Sequence, residues 1–504
     1  MLAPAEELQN ISLACRRAVS LMAAAKLMSY RTILVFAALP AFLCSFAINT
    51  NSIARQGTIM LCSVRAEDGA PSDLNDCTLH AHIEFDDSSV EEIFNRPEQI
   101  LTDPDRFWSD NKTYRLVAMW HNSSRTPIPH ESWNSQIEML AGLGSSDRAQ
   151  WPFIHITREL MASTALFREK ALPHICSFLP QESIDLRTTI HYTGLTVPRA
   201  FQLHSHIVLD VANSYYSGNT TAILNCLVHE VFHIGFGNHQ RLRRELDLDN
   251  DAVNSMLNSL QNEGMATYVA YKAQHVFPAP DDRDYKMLER DEDVRQLLAD
   301  LDNLFREAGS MESNKLWTRG WEIGIQKRAY YVVGASMART IDETLGREAL
   351  VATVEEGPRD FVHTYNGLVD PAMRLFEFEA PREFSRQQRI RQSALDGDYE
   401  TLLSVLSTYT QERTEPETSL ENTLVSTGIL LQHRGQMELA YTVLETNLAV
   451  FPQSSAACQF LGDAYARGGL NDRARACYEK SIKLEPNGIC AFNSEQALVR
   501  LAED

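Results

Sequence analysis

Two histidines four residues apart, His229 and His233, with Glu230 following the first, are the residues of this chain best suited by type and spacing to do chemistry. They interrupt the stretch Thr221 to Asn238, TAILNCLVHEVFHIGFGN, in which Ala222, Ile223, Leu224, Cys226, Leu227, Val228, Val231, Phe232 and Ile234 are apolar. A helix apolar on every side is a buried one, and buried ionisable groups are costly unless they are paired or coordinate an ion. Residues at i and i+4 share one helix face, so both imidazoles can hold one Zn2+, and Glu230 can reach a water on it. The pattern reads as a zinc site with a general base. The plainer alternative, two core histidines satisfied by backbone carbonyls, leaves the grouping of three polar side chains unexplained.

Such a site needs a third ligand, and the chain offers two. His239 lies six residues after His233, the spacing metzincins use, but the glycine they need three after the second histidine is replaced by Phe236. Glu263 belongs to a helix expected over about 252–275, on an apolar stripe through Val253, Met256, Leu257, Leu260, Gly264, Tyr268 and Tyr271. A lone glutamate on such a stripe needs a partner, either a metal or a distant Arg or Lys. Gly264 beside it removes a side chain where two helices come close.

The elements that must position these residues can be read more coarsely. Thr113 to Trp120 and Ile207 to Ala212 have strand composition, and the second would suit a sheet edge open to an extended peptide, with an ordinary core strand as the alternative. Gln136 to Leu143 and Thr157 to Leu172 have helical spacing. Gly235 and Gly237 are expected to stop the motif helix. Arg241 to Asn250 reads as a charged loop or frayed turn. Asp247, Asp249 and Asp251 resemble a calcium loop, but Ala252 and Asn258 stand where its glycine and closing glutamate belong, so they are expected to cap a helix. Residues 281–320 suggest one charged helix plus a connection, and Trp321 to Leu345 a long helix ending at Gly346, its small residues Gly334, Ala335, Ser336 and Ala338 marking tight packing. Short helices follow over Arg347 to Glu356 and Asp360 to Tyr365. Tyr330 and Tyr331 are candidates to stabilise an oxyanion, with a core or surface role as the plainer reading.

HEVFHIGFGN followed by NEGMATYVAYK closely resembles the paired motifs of gluzincin peptidases, particularly those of aminopeptidase N type, which share the FGN and NEG-x-A elements. The resemblance implies His229, His233 and Glu263 as zinc ligands and Glu230 as general base. It covers about fifty residues and has departures. The interval from His233 to Glu263 is longer, Gly235 replaces a tryptophan, and no G-x-M-E-N segment for a free amino terminus lies upstream. The chain is more similar to an uncharacterised zinc-dependent protease family with this helical core. By that resemblance the fold is α+β, a mainly helical zincin-like metallopeptidase domain, acting on a peptide or protein substrate.

Beyond the motif, 504 residues suggest two to four domains. A net charge of −21 argues against a nucleic-acid partner. Basic Arg16, Arg17, Lys26 and Arg31 precede an apolar run from Thr32 to Ile48, too short for a comfortable membrane span and suited to a signal peptide. Met28 would begin a more ordinary one. The expected location is therefore exported, periplasmic or secreted, with a membrane anchor through residues 32–48 as the alternative. Cys62 with Cys77 is the most plausible disulfide in a set that does not look like a framework, and Cys226 reads as a core residue. Near the C-terminus, Gly428, Ala440 and Pro452 recur as Gly462, Ala474 and Pro486. This 34-residue period resembles two tetratricopeptide repeats over about 421–488, after a degenerate hairpin at 388–411 and before a capping helix from Asn493 to Ala502. The expected organisation is an N-terminal extension and signal peptide over 1–47, a polar linker over 48–78, the metallopeptidase domain over 79–370, a linker over 371–387 and an α-helical repeat solenoid over 388–504. The solenoid would recruit a protein partner or substrate, or buttress the enzyme; the alternatives are a binding protein on a peptidase-like fold with the repeats as its working part, and a zinc hydrolase acting on a non-peptide bond.

Overall fold

The computed structural model describes residues 81–503 apart from 125–129, 150, 181–185, 195–198, 217, 241–250, 380–385 and 412–417. The expected signal segment, the polar linker, the Cys62–Cys77 pair, the charged stretch 241–250 and two of the three loop aspartates, Asp247 and Asp249, therefore lie outside the described residues. What is described is mainly helical, with one small sheet.

The sheet has the order β1-β2-β4-β3. Strands β1 (His82–Asp86), β2 (Arg187–Thr193) and β4 (His206–Asp210) run parallel, and β3 (Ala200–Leu203) pairs antiparallel with β4. All five residues of β4 are buried, as expected for a strand covered on both faces. It is not the open edge that its position before the motif suggests. The chain reverses at His204, which takes a φ of 59°, and lays β3 along the side that would otherwise be free. The edges are β1 and β3.

Thr113 to Trp120 is not a strand but the body of helix α1 (Lys112–Ser124). Thr113, Tyr114, Leu116, Val117, Trp120 and His121 are buried, a 3.6-residue spacing that the aromatic and β-branched content conceals. Asn111 starts the helix, its side-chain oxygen accepting from the amides of Thr113 and Tyr114 at 3.1 and 3.3 Å. Helical spacing over Thr157 to Leu172 holds in two pieces, a helix over Pro152–Ala162 and a second from Thr164 that carries a π-turn at Phe167–Ala171.

The motif helix, α2 (Thr220–Gln240), runs straight through Gly235 and Gly237. Gly235 is there for space: a Cβ at this position would lie 2.3 Å from a Leu179 methyl. Its successor α3 (Asp251–Lys272) matches the expected helix, extended by a 3₁₀ turn to His275. The charged region 281–320 holds three helices, α4 (Arg283–Leu288), one over Asp291–Glu307 and one over Ser313–Trp321. Asp282 starts α4 by accepting from the amides of Asp284 and Tyr285. The long helix expected from Trp321 begins only at Ala329, as α5 (Ala329–Leu345), because a π-turn over Glu322–Gln326 and a left-handed Arg328 fold the chain back first. Gly324 lies under the Tyr330 ring, where a Cβ would be 2.0 Å from it.

The expected tight packing around Gly264 and Gly334 is present. A Cβ on Gly264 would lie 2.3 Å from the Gly334 Cα, so α3 and α5 meet backbone to backbone. In the expected linker 371–387, Leu375 is buried and its amide and carbonyl both bond the Asn366 side chain, at 2.9 and 2.7 Å. Cys226 is a buried free thiol, while Cys176 is disulfide-bonded, a bond the sequence reading does not anticipate.

The C-terminal region is a row of helical hairpins, α6 (Arg386–Asp396) with α7 (Tyr399–Gln411), α8 (Thr418–His433) with α9 (Met437–Val450), and α10 (Ser455–Arg467) with α11 (Asn471–Leu484), closed by α12 (Ile489–Glu503). Gly397, Gly435 and Gly469 take left-handed φ values of 74°, 71° and 75°. The residue after each donates its amide to the carbonyl five positions earlier, at 2.8 Å in all three cases. At Gly428 and Gly462 a Cβ would meet Leu444 at 2.5 Å and Tyr478 at 2.7 Å, so the repeating glycines mark where paired helices cross.

Candidate metal centre

Helix α2 presents His229 and His233, 8 % and 9 % exposed, toward Glu263 on α3. The two Nε2 atoms are 2.9 Å apart, and each lies 3.4 Å from Glu263 Oε2. Among the described residues these three form the one group of His, Cys, Asp and Glu side chains able to hold a metal ion. His239 is not in it. Because α2 continues to Gln240 without turning, a residue six positions on is carried about 9 Å along the axis and onto another face.

The donor set fits zinc. Bonds of about 2.0–2.2 Å at tetrahedral angles require donors about 3.3–3.5 Å apart, and both His–Glu separations fall there. Two imidazole nitrogens 2.9 Å apart need a cation or a proton between them. Burial opposes the charged form of His233, but the Glu263 carboxylate raises it to about 9. Burial and the charge on His233 hold His229 below its ordinary value. Glu263 is likewise opposed by burial, yet the two imidazoles keep its carboxyl well below the usual range. A divalent ion between the three donors would balance the same charges.

Around this group are residues that the motif alone does not announce. Asn262 Oδ1 lies 2.8 Å from His233 Nδ1, so that nitrogen carries a proton and Nε2 is turned toward Glu263. Glu230 is half-buried and makes no hydrogen bond or ion pair with any described residue. Tyr331 stacks on His229 with ring centroids 6.2 Å apart and planes at 13°. Burial and the nearby Glu263 push its hydroxyl well above the ordinary range. Tyr330, its neighbour in the chain, is wholly buried in the core. The Arg328 guanidinium lies 3.2 Å over the Tyr331 ring and grips Asp284 of α4 with bonds of 2.9 and 2.6 Å. The left-handed turn at Arg328 aims it there, and nothing in the local sequence announces that turn.

Residues 155–370, a stretch shorter than half of the chain, match a family model described as "Putative zinc dependent peptidase (DUF5700)". The matched span includes His229, Glu230, His233 and Glu263. No curated protein and no solved structure matches the chain. The middle of the chain is thus similar to the family so described, and its own side chains form a group able to hold a metal.

Proposed function

We propose that this protein is a zinc peptidase of gluzincin type, with His229, His233 and Glu263 as ligands and Glu230 as general base. The observation that carries the reading is the triangle of donors at 2.9, 3.4 and 3.4 Å drawn from two adjacent helices. Three protein ligands leave a fourth position open, as catalysis needs and a structural site does not. Zinc held there supplies a Lewis acid for the scissile carbonyl and brings the pKa of a water to about 7.

The chain's own residues do the rest. The Glu230 carboxylate, unengaged by other described side chains, accepts the proton of the attacking water and returns it to the leaving amine. Asn262 fixes the His233 tautomer. Tyr331, one face against His229, offers a protonated hydroxyl to the charge that develops on the carbonyl oxygen. Arg328 and Asp284 hold that ring in place.

Export by an N-terminal signal peptide completes the reading, with the C-terminal hairpins as tetratricopeptide-like repeats over about 421–488 that engage substrate or a protein partner. The repeating left-handed turns and glycine crossings support the repeat assignment.

Glu230→Gln is expected to retain one zinc per chain and lose peptide hydrolysis by at least about a thousandfold, as removal of a catalytic acid–base group does. Digestion of a mixed peptide library, with zinc measured on the same preparation, tests this. Unchanged hydrolysis removes Glu230 from the reaction, and a wild type that binds no zinc removes the metal.

A further inference from the structure

We propose that the cavity beside His229 is a subsite for a carboxylate of the substrate, recognised by Arg199; the proposal rests on the peptidase reading of the site. A pocket of about 270 Å³ opens between the start of β3, α2 and α4, and His229 forms part of its wall. That volume lies just below the usual range for small-molecule sites, so it suits one side chain or chain terminus rather than a whole ligand.

The polar groups lining it are committed elsewhere, with two exceptions. Asp282 caps α4 through its Oδ1 and accepts from the Tyr215 hydroxyl through its Oδ2. Asp284 gives both oxygens to Arg328. Asp281, largely in solvent, pairs with Lys286 at 2.9 Å. Asn225 spends its amide on the Ala270 carbonyl and its oxygen on the Tyr285 hydroxyl, at 2.7 and 2.6 Å.

Arg199 differs. Its guanidinium lies 4.4 Å over the Tyr215 ring and makes no hydrogen bond or ion pair with any described residue. Its carbonyl is pinned by the Asp210 amide at 3.2 Å, which fixes where the side chain starts. The second exception is Thr267, 2 % exposed, whose hydroxyl has no partner among the described residues. It stands one turn beyond Glu263 on α3 and lines the same pocket. A guanidinium presents a planar fork of donors matched to a carboxylate, and a threonine hydroxyl adds one more. A cation that has no hydrogen bond or ion pair to a described residue, in a half-enclosed site whose wall includes His229, is placed to select substrate charge.

The carboxylate can come from an acidic side chain or from the peptide's own C-terminus, and one experiment separates the two. Zinc-loaded full-length protein is offered internally quenched peptides, blocked at both ends, that carry Glu, Gln or Lys at single positions on either side of the cleaved bond. A parallel set ends in a free α-carboxylate at increasing distance from that bond. At one position Glu is expected to exceed Gln by at least tenfold in kcat/KM, and Lys by more. Arg199→Ala is expected to shrink the Glu-to-Gln ratio below threefold, and Arg199→Lys to retain part of it. A preference confined to free termini assigns the same subsite to the C-terminal carboxylate. No charge discrimination in the wild type, a preference for Lys, or a Glu preference that survives in a folded Arg199→Ala protein overturns the proposal. If no peptide is cleaved, the peptidase reading itself fails, and calorimetric titration of Glu230→Gln with the same peptides decides the subsite. A Glu peptide binding at least tenfold more tightly than its Gln twin supports it, and equal affinities overturn it.

Discussion

At the scale of single residues, the candidate centre depends on which side chains share one point in space. His229→Ala and Glu263→Ala are expected to lose zinc on dialysis, whereas His239→Ala keeps it, because α2 carries His239 away from the group. Metal analysis of the three variants beside the wild type checks this; zinc lost from His239→Ala alone would reverse the ligand assignment. Asn262→Ala addresses the support rather than the ligands. Removing a partner that orients a metal-binding imidazole typically costs about 10–100-fold in affinity, so a competition titration with a chelator should show that loss while saturating zinc still binds.

At the scale of elements, the decisive contact is the one between α3 and α5. It brings Glu263 and Tyr331 toward α2, and it exists because Gly264 and Gly334 leave no side chain between two backbones. Gly264→Ala forces a methyl to within 2.3 Å of backbone that cannot yield as a side chain would. Overpacking of this kind costs about 1–3 kcal/mol, and the melting temperature and the zinc affinity should fall together. Gly237→Ala gives the opposite sign. A Cβ there meets nothing within 4 Å, and the residue lies inside a helix. Replacing such a glycine by alanine gains about 0.5–1 kcal/mol, so the melting temperature should rise.

At the scale of the whole molecule, the C-terminal hairpins are tied at both ends to the region that holds the candidate metal group. Arg391 of α6 donates to the carbonyl of Gln240, the last residue of α2, at 2.9 Å. At the other end α12 lays Phe492 against His206 of β4, and Glu495 pairs with Arg115 of α1 at 2.9 Å. Behind His206 runs a buried chain: His206 Nδ1 to His191 Nε2 at 3.0 Å, and His191 Nδ1 to Asp86 Oδ2 at 2.9 Å. Glu84, Lys112 and His204 are the other charged or titratable groups acting on this chain. Burial holds His206 well below its ordinary value, with His191 adding to the effect, and burial outweighs Asp86 in lowering His191. Both imidazoles therefore stay neutral in the folded protein while the unfolded chain takes up protons near pH 6.5. Their contribution to stability is present above that pH and is lost as pH falls below it. The melting temperature should drop between about pH 6.5 and 5, and the drop should be smaller in His206→Asn. Equal slopes for the two proteins would separate this chain from acid sensitivity.

Local pattern was enough for the parts of this protein written within one or two helical turns. The buried motif helix, the inward Glu263, the tight approach at Gly264 and the 34-residue period all follow from periodicity and from glycine placement, which act over neighbouring residues. The mainly helical character with a small sheet agrees with what the family resemblance implied. Other features are contacts between distant segments, to which local periodicity is blind. Composition pointed to a strand at Thr113 to Trp120, where burial made a helix, and to helix stops at Gly235 and Gly237, where the helix continues and packing against Leu179 requires a small residue at Gly235 alone. The left-handed turn at Arg328, the stack of Tyr331 on His229 and the placing of Arg199 over Tyr215 exist only once segments far apart in sequence are brought together. A side chain's type is set by the gene, but its partner is set by which backbone the fold places opposite it.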